Sequence, residues 1–436
     1  MIRHRKTILP ILFLVLVTLV FPAVPASAGT LTFPGSLKAV PAEAFYGDTS
    51  IQTAVLQEGV TCIGSKAFAD SALREITLPS SLTCIADDAF DGSALKTVHV
   101  EKDTYAYQWM RDNGYISEYR ALLIGEQRFL WYDDDSDPDS GCWLDDTTQR
   151  NIHDVRNLAA ALGNTAGPHG VYGPEGDAIQ VTRKTNLTWS GIRSAIRNTF
   201  ADTRDQDISI FFIATHGNSS GDGDLRTAFT GSITNSAQVA SYWPNRYLSF
   251  STLASWLNTY VKGKVFVILE SCGAGSSIYR GYTLSNSTGP SGPDSARSAE
   301  AFVSKAVEAF STADFGIDAF SNEAEGFPVS NSTGDLRLPR FYVLAACQHQ
   351  ENCYGQEDPE TETYYNYFTK WLIKGIGRKN ASPADADGNN VLNLSELYDY
   401  IKKYDSYSFV IGSQTFYQHV RCYPEGSICK LLKLVQ

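Results

Sequence analysis

Basic residues are in deficit in this 436-residue chain, where 36 Lys and Arg stand against 48 Asp and Glu for a formal net charge of −12. Partners rich in phosphate are met by concentrated Lys and Arg, so the balance speaks against a nucleic-acid or anionic-membrane partner. A bilayer span needs about 20 consecutive apolar residues, and no stretch beyond the first two dozen residues supplies them. Highly charged, core-poor composition is absent too: 43% of residues are hydrophobic and 19% charged, which excludes wholesale disorder. No cysteine follows residue 28 closely enough to carry a lipid, and the C-terminal residues show no sorting or anchor pattern. What stands at the start is Arg3, Arg5 and Lys6, an apolar stretch over residues 8–20 broken by Pro10, and Ala26-Ser27-Ala28 after Pro22. A basic start, a short apolar run and a small-residue cleavage site together read as a secretory signal peptide over residues 1–28. The expectation is a soluble exported protein, extracellular or associated with the cell surface.

Eight cysteines in an exported chain invite pairing, but they are scattered instead of packed into a disulfide framework. Cys347 with Cys353, and Cys422 with Cys429, are close enough in sequence to bridge, although spacing does not fix connectivity.

Residues 29–119 repeat themselves. Val40-Pro41-Ala42-Glu43-Ala44-Phe45, Ile63-Gly64-Ser65-Lys66-Ala67-Phe68 and Ile85-Ala86-Asp87-Asp88-Ala89-Phe90 bring phenylalanine back at spacings of 23 and 22. Between them run alternating stretches such as Leu73-Arg74-Glu75-Ile76-Thr77-Leu78. A period in the low twenties signals a leucine-rich solenoid whose units bury their apolar edges against one another. The stretch resembles the leucine-rich repeats of bacterial surface proteins, and a protein or glycan is the implied kind of ligand. Cys62 and Cys84 occupy the same repeat position on adjacent coils. Two buried thiols in equivalent core slots are the expected arrangement, with a disulfide as the alternative.

From residue 120 to the end, strands alternate with helices, which is the signature of an α/β domain with a mostly parallel sheet. Buried strands are expected at Ala121-Leu122-Leu123-Ile124, at residues 207–214, at residues 265–269 and at residues 341–345. Helical periodicity marks Ile152, Val155, Leu158, Ala159 and Leu162, and again residues 187–200.

Open parallel sheets bind ligands beyond the carboxyl ends of their strands. Two of the apolar runs end there in chemistry: one in Thr215-His216-Gly217, the other in Glu270-Ser271-Cys272-Gly273-Ala274-Gly275. A thiolate is a strong nucleophile, and an imidazole beside it can hold the anion or carry a proton during acyl transfer. The amides of Gly217 and Cys272 are natural donors to a developing oxyanion. Taken singly, a buried thiol and a loop histidine are ordinary; both at the ends of the strongest strands are not.

A strand followed by His-Gly, then a strand followed by Glu or Asp, any residue, Cys, any residue, Ala or Ser, and Gly resembles the caspase-like clan of cysteine peptidases, which includes legumains, clostripains, gingipains and caspases. The resemblance covers most of the chain from about residue 120. It implies a caspase-like α/β/α sandwich of about six strands, a Cys272 and His216 dyad, an oxyanion hole from Gly217 and Cys272, a protein or peptide substrate, and no catalytic cofactor. Arg150-Asn151-Ile152-His153-Asp154-Val155 also resembles the early helix of bacterial members. The caspase signature Gln-Ala-Cys is not matched, which favours the legumain and clostripain side. Glu270, two residues before the nucleophile, stands where clostripain-like members receive a basic P1 side chain and legumains receive Asn; a carboxylate favours Arg or Lys. His349 follows the strand at residues 341–345 in a supporting place. The segment 275–298 reads as an exposed loop, cleavable or substrate-binding.

Near the C-terminus Asp385, Asp387, Asn389, Asn393 and Glu396 place oxygen ligands at loop positions one, three, five, nine and twelve, with the Val391 carbonyl at seven. That is the spacing of an EF-hand-type calcium loop. Asn390 replaces the glycine of position six, as Asn also visits left-handed backbone. Any calcium there would be structural. Three functions stay open from sequence: endopeptidase, ligase or transpeptidase by capture of the same acyl-enzyme with an amine, and a surface-binding protein or adhesin acting through its repeats.

Overall fold

The computed structural model of the chain describes residues 29–134, 137, 140–145, 149–163, 165–166, 179–218, 224–271, 340–347, 353–358, 363–377, 381–404, 407–411, 414–423, 426–427 and 430–434. The leader at 1–28, Cys272, the segment 275–298, His349 and Cys429 lie outside the described residues. Contacts divide the chain into two compact units between Leu95 and Lys96. The sequence reading sets the change later, at about residue 119, which puts the helix α1 (Tyr105–Asp112) on the repeat side. Its Arg111 nevertheless belongs to the second unit: the guanidinium forms a two-pronged pair with Asp207 at 3.1 and 3.0 Å.

The first unit is built of very short parallel strands. Thr30–Phe33, Thr53–Leu56 and Glu75–Thr77 form one ladder, and Ala39–Val40, Cys62–Ile63 and Cys84–Ile85 a second. Thr30 faces Thr53 and Thr53 faces Glu75, so the strand register repeats the 23- and 22-residue spacing of the sequence. Phe45, Phe68 and Phe90 stack in a column with ring centroids 5.2 and 5.6 Å apart. The expected buried thiols are corrected: Cys62 and Cys84 form a disulfide with Cα atoms 4.5 Å apart, Cys84 being exposed. The reason is strand alternation, since Ile63 and Ile85 take the inward positions and leave the cysteines outside.

In the second unit six strands form one sheet: β1 (Tyr119–Gly125), β2 (Gln180–Thr185), β3 (Ile208–Ala214), β4 (Lys264–Glu270), β5 (Phe341–Ala345) and β6 (Arg421–Tyr423). Their order is β2-β1-β3-β4-β5-β6, with β6 antiparallel to β5 and every other neighbour parallel. Every residue of β3 is buried, as its continuous apolar run requires of a strand covered on both faces. One face packs Leu123, Phe212, Phe266 and Ile268 against α2 (Arg150–Leu162) and, further along the chain, the helices at Tyr367–Ile376 and Leu394–Tyr404. The other packs Leu122, Phe211, Val265 and Val267 against α3 (Trp189–Phe200) and the helix at Phe250–Tyr260. The short helix Ser236–Tyr242 is α4, so the last three are α5, α6 and α7 in chain order. Alternate residues of each strand thus serve two separate cores, giving the helix–sheet–helix sandwich. At the end of β1 the backbone of α2 comes in so close that a side chain on Gly125 would meet the Asn151 carbonyl at 2.5 Å.

Candidate active site

β3 and β4 end level. Ala214 faces Glu270 in the ladder, and the Thr215 amide donates to the Glu270 carbonyl at 2.9 Å. In the sequence His216 and Cys272 each come two residues after that matched pair. Cys272 itself lies outside the described residues.

His216 is 5% exposed and sits against two aromatic rings. Phe129 meets it edge-on at 4.7 Å and Trp131 at 5.6 Å. Both rings come from the strand Phe129–Tyr132, which pairs with Cys142–Asp145 in a hairpin that sequence reasoning missed. All four residues of Phe129–Tyr132 are buried, so no alternation marked it. Behind Trp131 the guanidinium of Arg226, 1% exposed, lies 4.4 Å from that ring and 4.6 Å from the Tyr247 ring. It donates to the Leu130 carbonyl and the Tyr247 hydroxyl. A buried arginine held by ring faces and oxygens braces the wall behind the imidazole.

The Gly217 amide has a defined direction. Gly217 faces Leu225 in an antiparallel pair, and the adjoining bond runs from the Arg226 amide to the His216 carbonyl at 2.8 Å. That pattern makes Gly217 and Leu225 a non-hydrogen-bonded pair, whose amides turn away from the partner strand. Its N–H therefore lies outside this ladder.

Glu270 is 1% exposed and faces the α2 and α6 side of the sheet. Its Oε2 accepts from the Thr369 amide at 3.0 Å and the Thr369 hydroxyl at 2.8 Å. Thr369 lies in the first turn of α6, so the carboxylate also meets orphan amide and dipole of that helix end. Around it Asn366 donates to Asp154 Oδ2 at 2.5 Å and to Asn151 Oδ1 at 2.9 Å, while Asn151 donates to the Glu126 carbonyl at 2.6 Å. Burial, and next the Glu270 carboxylate, push Asp154 well above the usual carboxylate range against the bonds from Asn366. Burial does the same to Glu126, which accepts the Leu187 amide through both oxygens. Sequence placed Asn151 and Asp154 on this helix; Asn366 and Thr369 carried no motif that could have marked them.

Two family models match the chain: a caspase domain over residues 119–387 and a BspA type leucine rich repeat region, in six copies, over residues 26–109. The chain belongs to the caspase-domain family. The caspase domain carries a cysteine peptidase kind of function, that of a hydrolase with a protein substrate. Phenylalanine spacing alone counts three repeats where the family model finds six copies. No curated protein matches the chain.

The caspase-domain match ends inside the acidic loop near the C-terminus. There Asp385, Asp387 and Glu396 bring carboxylate oxygens within 4.8 Å of one another. Asp385 Oδ1 is buried with no hydrogen-bond partner, while its Oδ2 accepts the Asn390 amide at 3.0 Å. Asn390 takes the left-handed conformation expected of position six, with φ at +62°. The other expected ligands are otherwise engaged: Asn389 Oδ1 accepts the Val391 amide at 2.7 Å, and Asn393 Oδ1 accepts the Glu396 amide at 3.0 Å. Glu396 returns a bond to the Asn393 amide at 3.0 Å, a reciprocal cap at the start of α7. Three convergent carboxylates around an orphaned buried oxygen fit a hard divalent cation.

Proposed function

We propose that this caspase-domain chain is an exported cysteine endopeptidase with Cys272 as nucleophile and His216 as its acid–base partner. The Cys272 thiolate adds to the scissile carbonyl carbon, and the amides of Gly217 and Cys272 receive the charge that forms on its oxygen. His216 gives a proton to the leaving nitrogen as the C–N bond breaks. Water, losing a proton to His216, then cleaves the thioester and restores the thiol. The observation that supports this reading is the level ending of β3 and β4, which sets residues 216 and 272 the same step beyond one matched pair.

Glu270 is the specificity residue of this proposal, selecting Arg or Lys at P1 by a charge-assisted bond. Thr369 holds its Oε2 in place before substrate arrives. The leader at 1–28 directs export, and the BspA-type repeats associate the enzyme with the cell surface through a protein or glycan ligand. Calcium held by Asp385, Asp387 and Glu396, with Asn389, Val391 and Asn393 completing the loop, supplies rigidity ahead of α7 and no chemistry.

Hydrolysis of fluorogenic peptides ending in Arg, Lys, Asn or Asp, by the intact chain and by Cys272→Ala, tests the proposal. Turnover of Arg or Lys peptides that vanishes in the variant is the expected result. Preference for Asn would replace the basic-P1 assignment, and turnover surviving in Cys272→Ala would overturn the nucleophile.

A further inference from the structure

Two buried thiols converge on one carbonyl at the end of β4. Cys347 Sγ lies 3.2 Å and Cys353 Sγ 2.8 Å from the carbonyl oxygen of Ser271, with 3.1 Å between the sulfurs. Both cysteines are thiols, 4% and 7% exposed. Each has one S–H to donate. The segment that carries them is braced at both ends by Gln418, which accepts the Tyr354 amide at 2.8 Å and donates to the Ala346 carbonyl at 3.4 Å. Ala346 in turn donates to the Leu269 carbonyl at 2.9 Å. Backbone ties therefore hold the sulfurs against the end of β4.

The Ser271 carbonyl belongs to the peptide group that joins Ser271 to Cys272. Such a group is planar and trans, so its C=O and N–H point in opposite directions. Donors on the oxygen fix the plane of such a group, and a polarised carbonyl makes its own N–H a stronger donor. We propose that Cys347 and Cys353 are positioning residues for the oxyanion-binding amide of Cys272, active as a dithiol and disabled as a disulfide. The proposal rests on the reading of Cys272 as nucleophile. Thiol–disulfide exchange with a low-molecular-weight disulfide forms one S–S bond, passes both hydrogens to the two thiols released from the oxidant, and strips the Ser271 oxygen of both donors.

The test uses the intact chain carrying Cys353→Ala or Cys353→Ser. In Cys353→Ala, kcat on an Arg or Lys peptide falls about 10-fold or more with KM within about twofold, since removing an oxyanion donor outright costs 10²–10³. A peptide aldehyde, whose adduct needs the same amide, weakens by a similar factor. Alkylation of Cys272 by iodoacetamide, followed by mass spectrometry, needs no oxyanion donor and keeps its rate. Cys353→Ser, which retains a donor, restores most of each loss. Equal behaviour of Ala and Ser, or alkylation falling along with aldehyde affinity, overturns the proposal as mere structural damage. Turnover by Cys272→Ala would instead sink the nucleophile assignment, and the proposal with it. A second arm needs no substitution. With Cys272 reversibly protected by the aldehyde, oxidised glutathione produces a Cys347–Cys353 disulfide seen by mass spectrometry, and kcat drops until dithiothreitol restores it. Failure of that disulfide to form, or its formation with kcat unchanged, overturns the switch.

Discussion

Asp154 and Glu270 are both buried, and burial, followed by the Glu270 charge, pushes the Asp154 carboxyl well above the usual carboxylate range. The consequence for stability has a definite sign. An acid whose folded-state pKa is raised binds its proton more tightly in the folded chain than in the unfolded one. Its favourable contribution is complete below the unfolded value of about 3.9 and is lost as pH rises through the folded value. Asp154→Asn removes that titration while keeping an oxygen for the Asn366 amide. Urea midpoints measured at steps from pH 4 upward are expected to fall less steeply in the variant than in the parent. Parallel curves would show that Asp154 does not titrate in this window. His216 belongs to the same scale: its ring is fixed by Phe129 and Trp131. Trp131→Ala is expected to lower kcat on peptide substrates through misplacement of the imidazole and to destabilise the fold by about 3–5 kcal/mol. Stopped-flow turnover beside thermal unfolding separates the two effects.

At the scale of the element, the loop ahead of α7 poses a choice between a helix cap and a cation site. The Asn393 and Glu396 cap accounts for two of the six expected ligands without any ion. It leaves Asp385 Oδ1 buried and unpaired, which is the part a cap does not explain. Calcium at about 100 times its Kd is therefore expected to stabilise the parent by about 2.7 kcal/mol. Calorimetry should show the gain reversed by chelator and missing from Asp385→Asn; an unchanged melting profile would leave only the cap. The same scale shows where sequence was legible. β3, β4 and β5 were readable because strands buried on both faces are apolar throughout, and α2 because its inward residues keep helical spacing. β2 was not, because its Gln180-Val181-Thr182-Arg183-Lys184-Thr185 run is an edge strand with four of six residues exposed. The ends of β3 and β4 stood out in the sequence because Thr215-His216-Gly217 and Ser271-Cys272-Gly273 come right after them. Thr369, Asn366, Cys347 and Cys353 were not, since each reaches the end of β4 or its surroundings from far away in sequence. Cys62 and Cys84 were misread because repeat position was taken for core position, when strand alternation set the opposite face.

For the whole molecule, the two compact units and the charge can each be probed separately. All 7 tryptophans lie beyond residue 95, so their fluorescence reports the second unit alone. A disulfide closing a loop of about 22 residues contributes about 3 kcal/mol through the unfolded state. Cys62→Ser is thus expected to lower the circular-dichroism midpoint of the repeats while leaving the tryptophan transition in place; coincident shifts would mean the units unfold together. The net charge of −12 acts at longer range. A negative field raises the local concentration of cationic ligands and speeds their encounter, and added salt screens it, the Debye length falling to about 3 Å at 1 M. If Glu270 receives a basic P1 side chain inside such a field, kcat/KM for Arg peptides falls several-fold between about 20 and 500 mM salt. kcat at saturation stays level, because screening acts on approach and not on the buried groups. Peptides of neutral P1 give the control slope. A flat salt profile for Arg peptides would place their selection, if any, wholly in the contact at Glu270 and leave the surplus of acids with no part in catalysis.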